Sequence, residues 1–352
     1  MNQDPVKVNR IEWFRLFPGL SLLHAARLGF RVRVLVPACL CLLVFAARQN
    51  IARTLVDNEG FATTIDHQSA EATSFSWLSI IPGEHPLPAP IEEIVSGATQ
   101  ILFEGFFSNP WKILSVIWSG LVLLTFGIAV SRSAATEFCT HSRTGVFSAL
   151  RFSFRHFRAG LVSTLLTAGI VVAPLLLLVI AGWLAEFVTA GSWLVAIFWP
   201  VLFLLGVLSV VVTIVCLAGW MLSLAAIGTD QCSGADALSK GINYVLSHKL
   251  LTAVYLLVVV VISRVATLLA QWLIETSMLV VCGRITAPFD HNDGTSATIL
   301  AGWMTAIQQV PQAVHLGVFL SGTTIMYVLL RQTEDGVHLR EIDGAVAHTP
   351  TD

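Results

Sequence analysis

Six apolar runs, at residues 32–47, 113–130, 159–183, 194–224, 250–272 and 315–330, constrain this chain more than anything else in it. A helix needs roughly 20 apolar residues to cross a hydrocarbon core of about 30 Å. The first and last runs are short by that measure, and the fourth is longer than a perpendicular span needs. Only 12% of the 352 residues are charged and 55% are hydrophobic. A soluble domain carries about 25% charged residues, so the exterior lacks the groups that water would require. In lipid, backbone N–H and C=O groups must be satisfied within the segment, which selects helices. The expectation is an all-α polytopic bundle of about six spans over residues 34–330, with a lead at 1–33 and a tail at 331–352. Pro37, Pro174 and Pro200 fall inside three runs, where neighbouring helices can re-satisfy the freed carbonyls.

Lysine and arginine set the orientation. Residues 1–33 carry six, 131–158 five, 228–249 two and the tail two, fifteen in all. The alternate segments carry four (Arg48, Arg53, Lys112 and Arg284), and Arg264 is left inside a run. Positive residues stay inside, so both termini are expected in the cytoplasm, with the chain in the cytoplasmic (inner) membrane. The run starting near Val34 follows a 33-residue lead, which reads as an uncleaved anchor rather than a signal peptide. Segment 48–112 becomes an outer loop with eight acidic and three basic residues, broken by the proline-rich stretch Ile80–Pro90. Beyond that stretch, Ile91, Ile94, Val95, Ala98, Ile101, Leu102 and Phe106 keep helical spacing, so an amphipathic helix is expected on the membrane face or against the bundle.

A unit of span, amphipathic helix, span repeats. Phe147, Leu150, Phe154 and Phe157 form one stripe with Arg151, Arg155 and Arg158 beside it, predicting a helix over 144–158. Ala235, Leu238, Ile242 and Val245 repeat the stripe 88 residues later, predicting a second helix over 234–248 that opens with the capping pattern Ser233-x-x-Asp236. His24-Ala-Ala-Arg-Leu-Gly-Phe-Arg-Val-Arg33 is a fainter third copy. Such helices lie in the headgroup plane, where Arg27, Arg31, Arg151, Arg155 and Arg158 meet lipid phosphates or a partner protein.

The second copy also resembles something. Gly228-Thr-Asp-Gln-Cys-Ser-Gly-Ala-Asp-Ala-Leu-Ser-Lys-Gly-Ile-Asn-Tyr-Val245 is similar to a stretch in uncharacterised bacterial multi-pass membrane proteins, approximately E-G-T-D-x-x-x-A-L-S-x-x-Y-S-Y-V after a long apolar span. Here Ile227 replaces the acidic residue, one residue is added before Ala237-Leu238, and Asn243 stands where serine is usual. The ending Tyr327-Val-Leu-Leu-Arg331 with Glu334-Asp335-Gly336 is similar to their tail. The resemblance covers roughly residues 113–343 and implies the fold, with no assigned activity.

Arg264 is the one basic residue within a run, and Thr267, Gln271 and Glu275 follow it at spacings that share a helix face. Ionisable groups in spans usually face a bundle interior or a water-filled path. At 1.5 Å per residue Arg264 lies about 21 Å from Leu250, so snorkelling to the outer headgroups is the favoured account of it. Asp290-His-Asn-Asp-Gly294 has metal-ligand residue types without the spacing of a calcium loop. His85 and His141 lack partners at ligand spacing. Cys39, Cys41, Cys139, Cys216, Cys232 and Cys282 show neither zinc nor thioredoxin spacing. No phosphate loop, nucleophile elbow or paired intramembrane carboxylates occur, so neither catalysis nor a cofactor or metal is expected. A net charge of −2 with no basic arm does not suggest a nucleic-acid partner, and none is expected. Gly120, Gly127, Gly160, Gly169, Gly182, Gly206 and Gly219 are candidate points of close helix approach. The bilayer is the expected partner, with a possible protein at the cytoplasmic helices, and nothing in the sequence sets an oligomeric state. The expected role is a non-catalytic membrane subunit or scaffold. The alternative is a permease for a small or hydrophobic cargo using Arg264, Thr267, Gln271 and Glu275.

Overall fold

A computed structural model describes residues 18–58, 87–104, 110–140, 145–187, 191–285, 302–304 and 306–335. Among them there is no strand. A 3-10 turn at Pro18–Leu22 leads into α1 (Leu23–Gly29), α2 (Val32–Asn58), α3 (Ala89–Glu104), α4 (Pro110–Thr140), α5 (Val146–Phe187), α6 (Gly191–Asp230), α7 (Gly234–Ser247), α8 (Lys249–Ile285) and α9 (Val310–Asp335). Five stretches, in α4, α5, α6, α8 and over Gly302–Glu334, are long and apolar enough to cross a bilayer alone. The first expected span meets the same test only when α1 and α2, joined through a 71° bend, are taken together. The helices continue through Pro37, Pro174 and Pro200.

Burial runs opposite to hydropathy. The most apolar windows, in α5 and α6, have 6% and 17% of their residues buried. The least apolar window is that of α9, in which every residue from Ala313 to Leu330 is buried. A helix facing lipid must be apolar all round, whereas one enclosed by protein can keep polar groups. α9 accordingly packs against α1, α2, α4, α6, α7 and α8 and carries His315, Ser321, Thr323 and Thr324 inside. This also corrects the expectation of a short last span. α9 is a full 26-residue helix, and its apolar run is short because protein, not lipid, surrounds it.

The expected separate helix at 144–158 is replaced by one continuous helix, since α5 runs unbroken for 42 residues from Val146, about 63 Å at 1.5 Å per residue. Phe147 and Phe154 of its stripe are exposed, while Ala149, Ser153 and Gly160 are buried, Ser153 and Gly160 against α4. The second copy does form its own helix. Ser233 caps α7 by accepting the Asp236 N–H at 3.3 Å, and its hydroxyl donates to the Asp236 carboxylate at 2.6 Å. Ser233→Ala is expected to cost about 1 kcal/mol in an unfolding titration. An unchanged midpoint would show that packing alone holds the start of α7.

The repeat has a structural basis in all three copies. Ala25, Ala149 and Ala237 are each at most 1% exposed, and four residues later stand the small residues Gly29, Ser153 and Gly241. Each small residue meets the backbone of another span. A Cβ on Gly29 would lie 2.9 Å from the Val318 N and Cα of α9. The Ser153 hydroxyl donates to the Thr125 carbonyl of α4. A Cβ on Gly241 would overlap the Gly219 carbonyl oxygen of α6. An alanine–small pair one turn apart lets the short helix approach to backbone contact, which a larger side chain would prevent.

At the opposite end of the bundle, α3 lies against α4, burying Ile91 and Ile94. The expected amphipathic helix is therefore present, and it is packed on the bundle.

Candidate functional site

The residues of the Gly-Thr-Asp stretch and of the terminal Tyr…Arg stretch, nearly 100 positions apart, converge at one end of the bundle. Gly228 allows a close approach of α6 to α4, because a Cβ there would sit 2.9 Å from Ser131 Cβ and 3.1 Å from the Arg132 N. The Gly228 carbonyl accepts from the Arg132 guanidinium at 3.3 Å, and that guanidinium lies over the Phe152 ring, 4.8 Å from its centroid. Thr229 returns its hydroxyl to the Ala225 carbonyl at 3.0 Å, so it spends its donor inside its own helix.

Asp230, the last residue of α6, then collects three donors. Arg331 Nη1 donates to Oδ1 at 2.5 Å, the Tyr327 hydroxyl to Oδ2 at 2.9 Å and Lys240 Nζ to Oδ2 at 3.3 Å. The Asp230 side chain is 6% exposed, Arg331 21% and Lys240 40%. One carboxylate thus joins α6, α7 and α9. The Tyr327 ring packs on that of Tyr244, 5.7 Å between centroids, and His248 at the end of α7 meets Glu334 at 2.6 Å. Gln231 turns the chain with φ 55°, a left-handed conformation that costs a residue with a Cβ roughly 1–2 kcal/mol. A carboxylate whose oxygens are held by two cations and a phenol ties together the helices that carry them. Beside it, burial pushes the Cys232 thiol above its ordinary value, while the Lys240 ammonium pulls the other way. A raised thiol is a poor nucleophile.

α7 is seated by glycines as well as by this clasp. A Cβ on Gly234 would overlap the Ala159 carbonyl oxygen and lie 2.9 Å from the Ser163 N of α5. Beneath it, Ser163 and Ser223 share a hydrogen bond of 2.7 Å, and Trp220 Nε1 donates to Thr164 at 2.9 Å. Of the glycines singled out from sequence, Gly160 and Gly219 are closely packed, Gly127 has one ordinary contact, and Gly120, Gly169, Gly182 and Gly206 have nothing near their would-be Cβ.

The other sequence candidates distribute as follows. Thr267 is 3% exposed and bonds back to the Ser263 carbonyl at 2.7 Å, and Arg264 is half-buried. Gln271 and Glu275 are exposed and hydrogen-bonded to each other at 2.8 Å. Arg31 pairs with Glu137, whereas Arg27, Arg151, Arg155 and Arg158 are exposed. At the far end Arg48 binds Glu93 at 2.6 Å and Ser115. It borders an open cleft of about 370 Å³ shared with Phe45, Ala89, Glu92, Ser96 and Gln312. Asp290–Gly294, His85 and His141 lie outside the described residues. Among the described residues no group of three or more His, Cys, Asp or Glu could hold a metal ion.

Sequence reasoning missed Asp230, Lys240, Tyr327 and Arg331 as one site. The available signal was that one stretch carrying the resemblance holds Asp230 and Lys240 and the other Tyr327 and Arg331. It also passed over His315, which is fully buried in α9.

A helical bundle turned inside out in polarity, with its most apolar faces outward, defines an α-helical integral membrane protein. No protein-family model matches this chain, and no curated protein or solved structure matches it either.

Proposed function

We propose that this protein is a non-catalytic membrane subunit, a scaffold in the cytoplasmic membrane with both termini inside, which presents α7 to a partner protein. The observation that carries this reading is the way α7 is held. Its inner face, Ala237, Leu238, Gly241, Tyr244 and Val245, is buried, and its ends are fixed to α5 and α9. Its outer face, Asp236, Ser239, Asn243, Leu246 and Ser247, stays exposed. A surface fixed before binding loses little entropy when a partner docks. The permease reading draws less support, because Gln271 and Glu275, two of the four residues it would use, are exposed and paired with each other.

The test is a photocrosslinking residue at Ser239 or Asn243 in the full-length protein in native membranes. A single partner is expected that also co-purifies with the wild-type chain and is lost on Asn243→Arg. Arg264→Leu is expected to alter stability alone. No adduct at either position, or a lost transport activity in Arg264→Leu at normal expression, would overturn the scaffold reading.

A further inference from the structure

The first 13 residues of α5 and the whole of α7 are copies of one unit, yet their outward faces differ in chemistry. In α7 the outward positions Ala235, Asp236, Ser239, Asn243, Leu246 and Ser247 carry a single charge, an acidic one, and no aromatic ring. The positions facing outward in α5 are Phe147, Ser148, Arg151, Phe154, Arg155 and Arg158. Phe147 is 88% exposed and Phe154 66%. At 100° per residue, Phe147, Arg151, Phe154 and Arg158 fall within one narrow strip, with Arg155 at its edge. Water is a poor medium for two phenylalanines held in the open, and a neutral protein surface would leave three guanidiniums without an anion.

The helix itself indicates what covers the strip. α5 continues without a break into Leu165, Leu166, Ile170, Leu176, Leu177 and Trp183, all exposed and apolar. Its 42 residues are about twice what a 30 Å hydrocarbon core needs, so the segment preceding Gly160 emerges at the headgroups. Aromatic rings and arginines at that level sit with rings toward the acyl boundary and guanidiniums on phosphate.

We propose that the strip Phe147–Arg158 is a docking face for anionic phospholipid. Arg151, Arg155 and Arg158 bind the headgroup phosphates, and Phe154, set between them on the strip, packs against the same lipid, with Phe147 at the strip's outer end. This does not rest on the scaffold reading, which concerns the outer face of α7. Each guanidinium is expected to contribute on the order of fivefold in affinity, and the three together roughly a hundredfold.

The experiment is native mass spectrometry of the full-length protein in detergent, titrated with phosphatidylglycerol and with phosphatidylcholine of the same acyl chains. The wild type is expected to prefer phosphatidylglycerol. The triple variant Arg151→Gln, Arg155→Gln, Arg158→Gln is expected to lose roughly a hundredfold in phosphatidylglycerol affinity with phosphatidylcholine unchanged, and the triple lysine variant is expected to retain the preference. Should the triple glutamine variant fold poorly, Arg155→Gln alone is expected to lose about fivefold. Equal binding of the two lipids by the wild type, or wild-type phosphatidylglycerol affinity in the glutamine variants, would overturn the proposal. So would loss of a co-purifying protein with lipid affinity intact, which would assign the face to a protein contact.

Discussion

Asp230→Asn is expected to destabilise the folded bundle by about 3 kcal/mol, the lower end of the range for removing one partner of a buried ion pair. The cause is the position of the carboxylate. At 6% exposure it is an anion shared by Arg331 and Lys240, and it accepts the Tyr327 hydroxyl as well. Asparagine keeps the shape but leaves two cations facing a neutral amide. Lys240, 40% exposed, regains water readily, and Arg331 at 21% less so, which places the effect below that of a fully enclosed pair. The measurement is an unfolding titration in mixed micelles, run with Arg331→Gln and the double variant. The two single changes are expected to be non-additive by at least about 1 kcal/mol, because both act through one contact. Wild-type stability in Asp230→Asn, or strict additivity, would show that the convergence of α6, α7 and α9 does not depend on this clasp.

The second large effect lies in the glycines on the buried face of α7. Gly234→Ala and Gly241→Ala each place a methyl group onto a carbonyl oxygen, of Ala159 and of Gly219 respectively. Backbone atoms in packed helices cannot step aside as a flexible side chain can, so α7 must lift. The expected cost is about 3 kcal/mol, the upper part of the usual overpacking range, with increased reactivity of the Cys232 thiol as its cover opens. The informative contrast is Gly169→Ala and Gly206→Ala, which meet nothing within 4 Å. These are expected to be neutral or to stabilise by up to about 1 kcal/mol through helix propensity. Equal effects at all four glycines in unfolding titrations would remove the distinction between packed and lipid-facing glycine.

Several features were legible because they follow from local chemistry. The six apolar runs lie within helices, since crossing a bilayer imposes length and hydropathy on each span separately. The Ser233 cap was legible as a four-residue pattern, and the amphipathic helix after Pro88 as a periodicity. The third copy of the repeat, faint as a pattern, becomes plain once Ala25 and Gly29 are seen in the places of Ala149 and Ser153, and of Ala237 and Gly241. The spacing of Arg264, Thr267, Gln271 and Glu275 was also readable, but spacing along one helix cannot say whether that face meets protein or the outside.

What the sequence by itself determined is the material of this protein: an all-helical membrane chain, the runs that span, and a repeated helical stripe ahead of a span. Hydropathy and helical period act residue by residue, so no knowledge of neighbours is needed to read them. Only the tertiary structure decided which helix is central, which glycines are packed and which donors meet Asp230. Those depend on contacts between α6, α7 and α9, and a linear pattern does not record distance in space. α9 shows the reason most directly: surrounded by protein, it escapes the demand for apolarity that made the other spans easy to see.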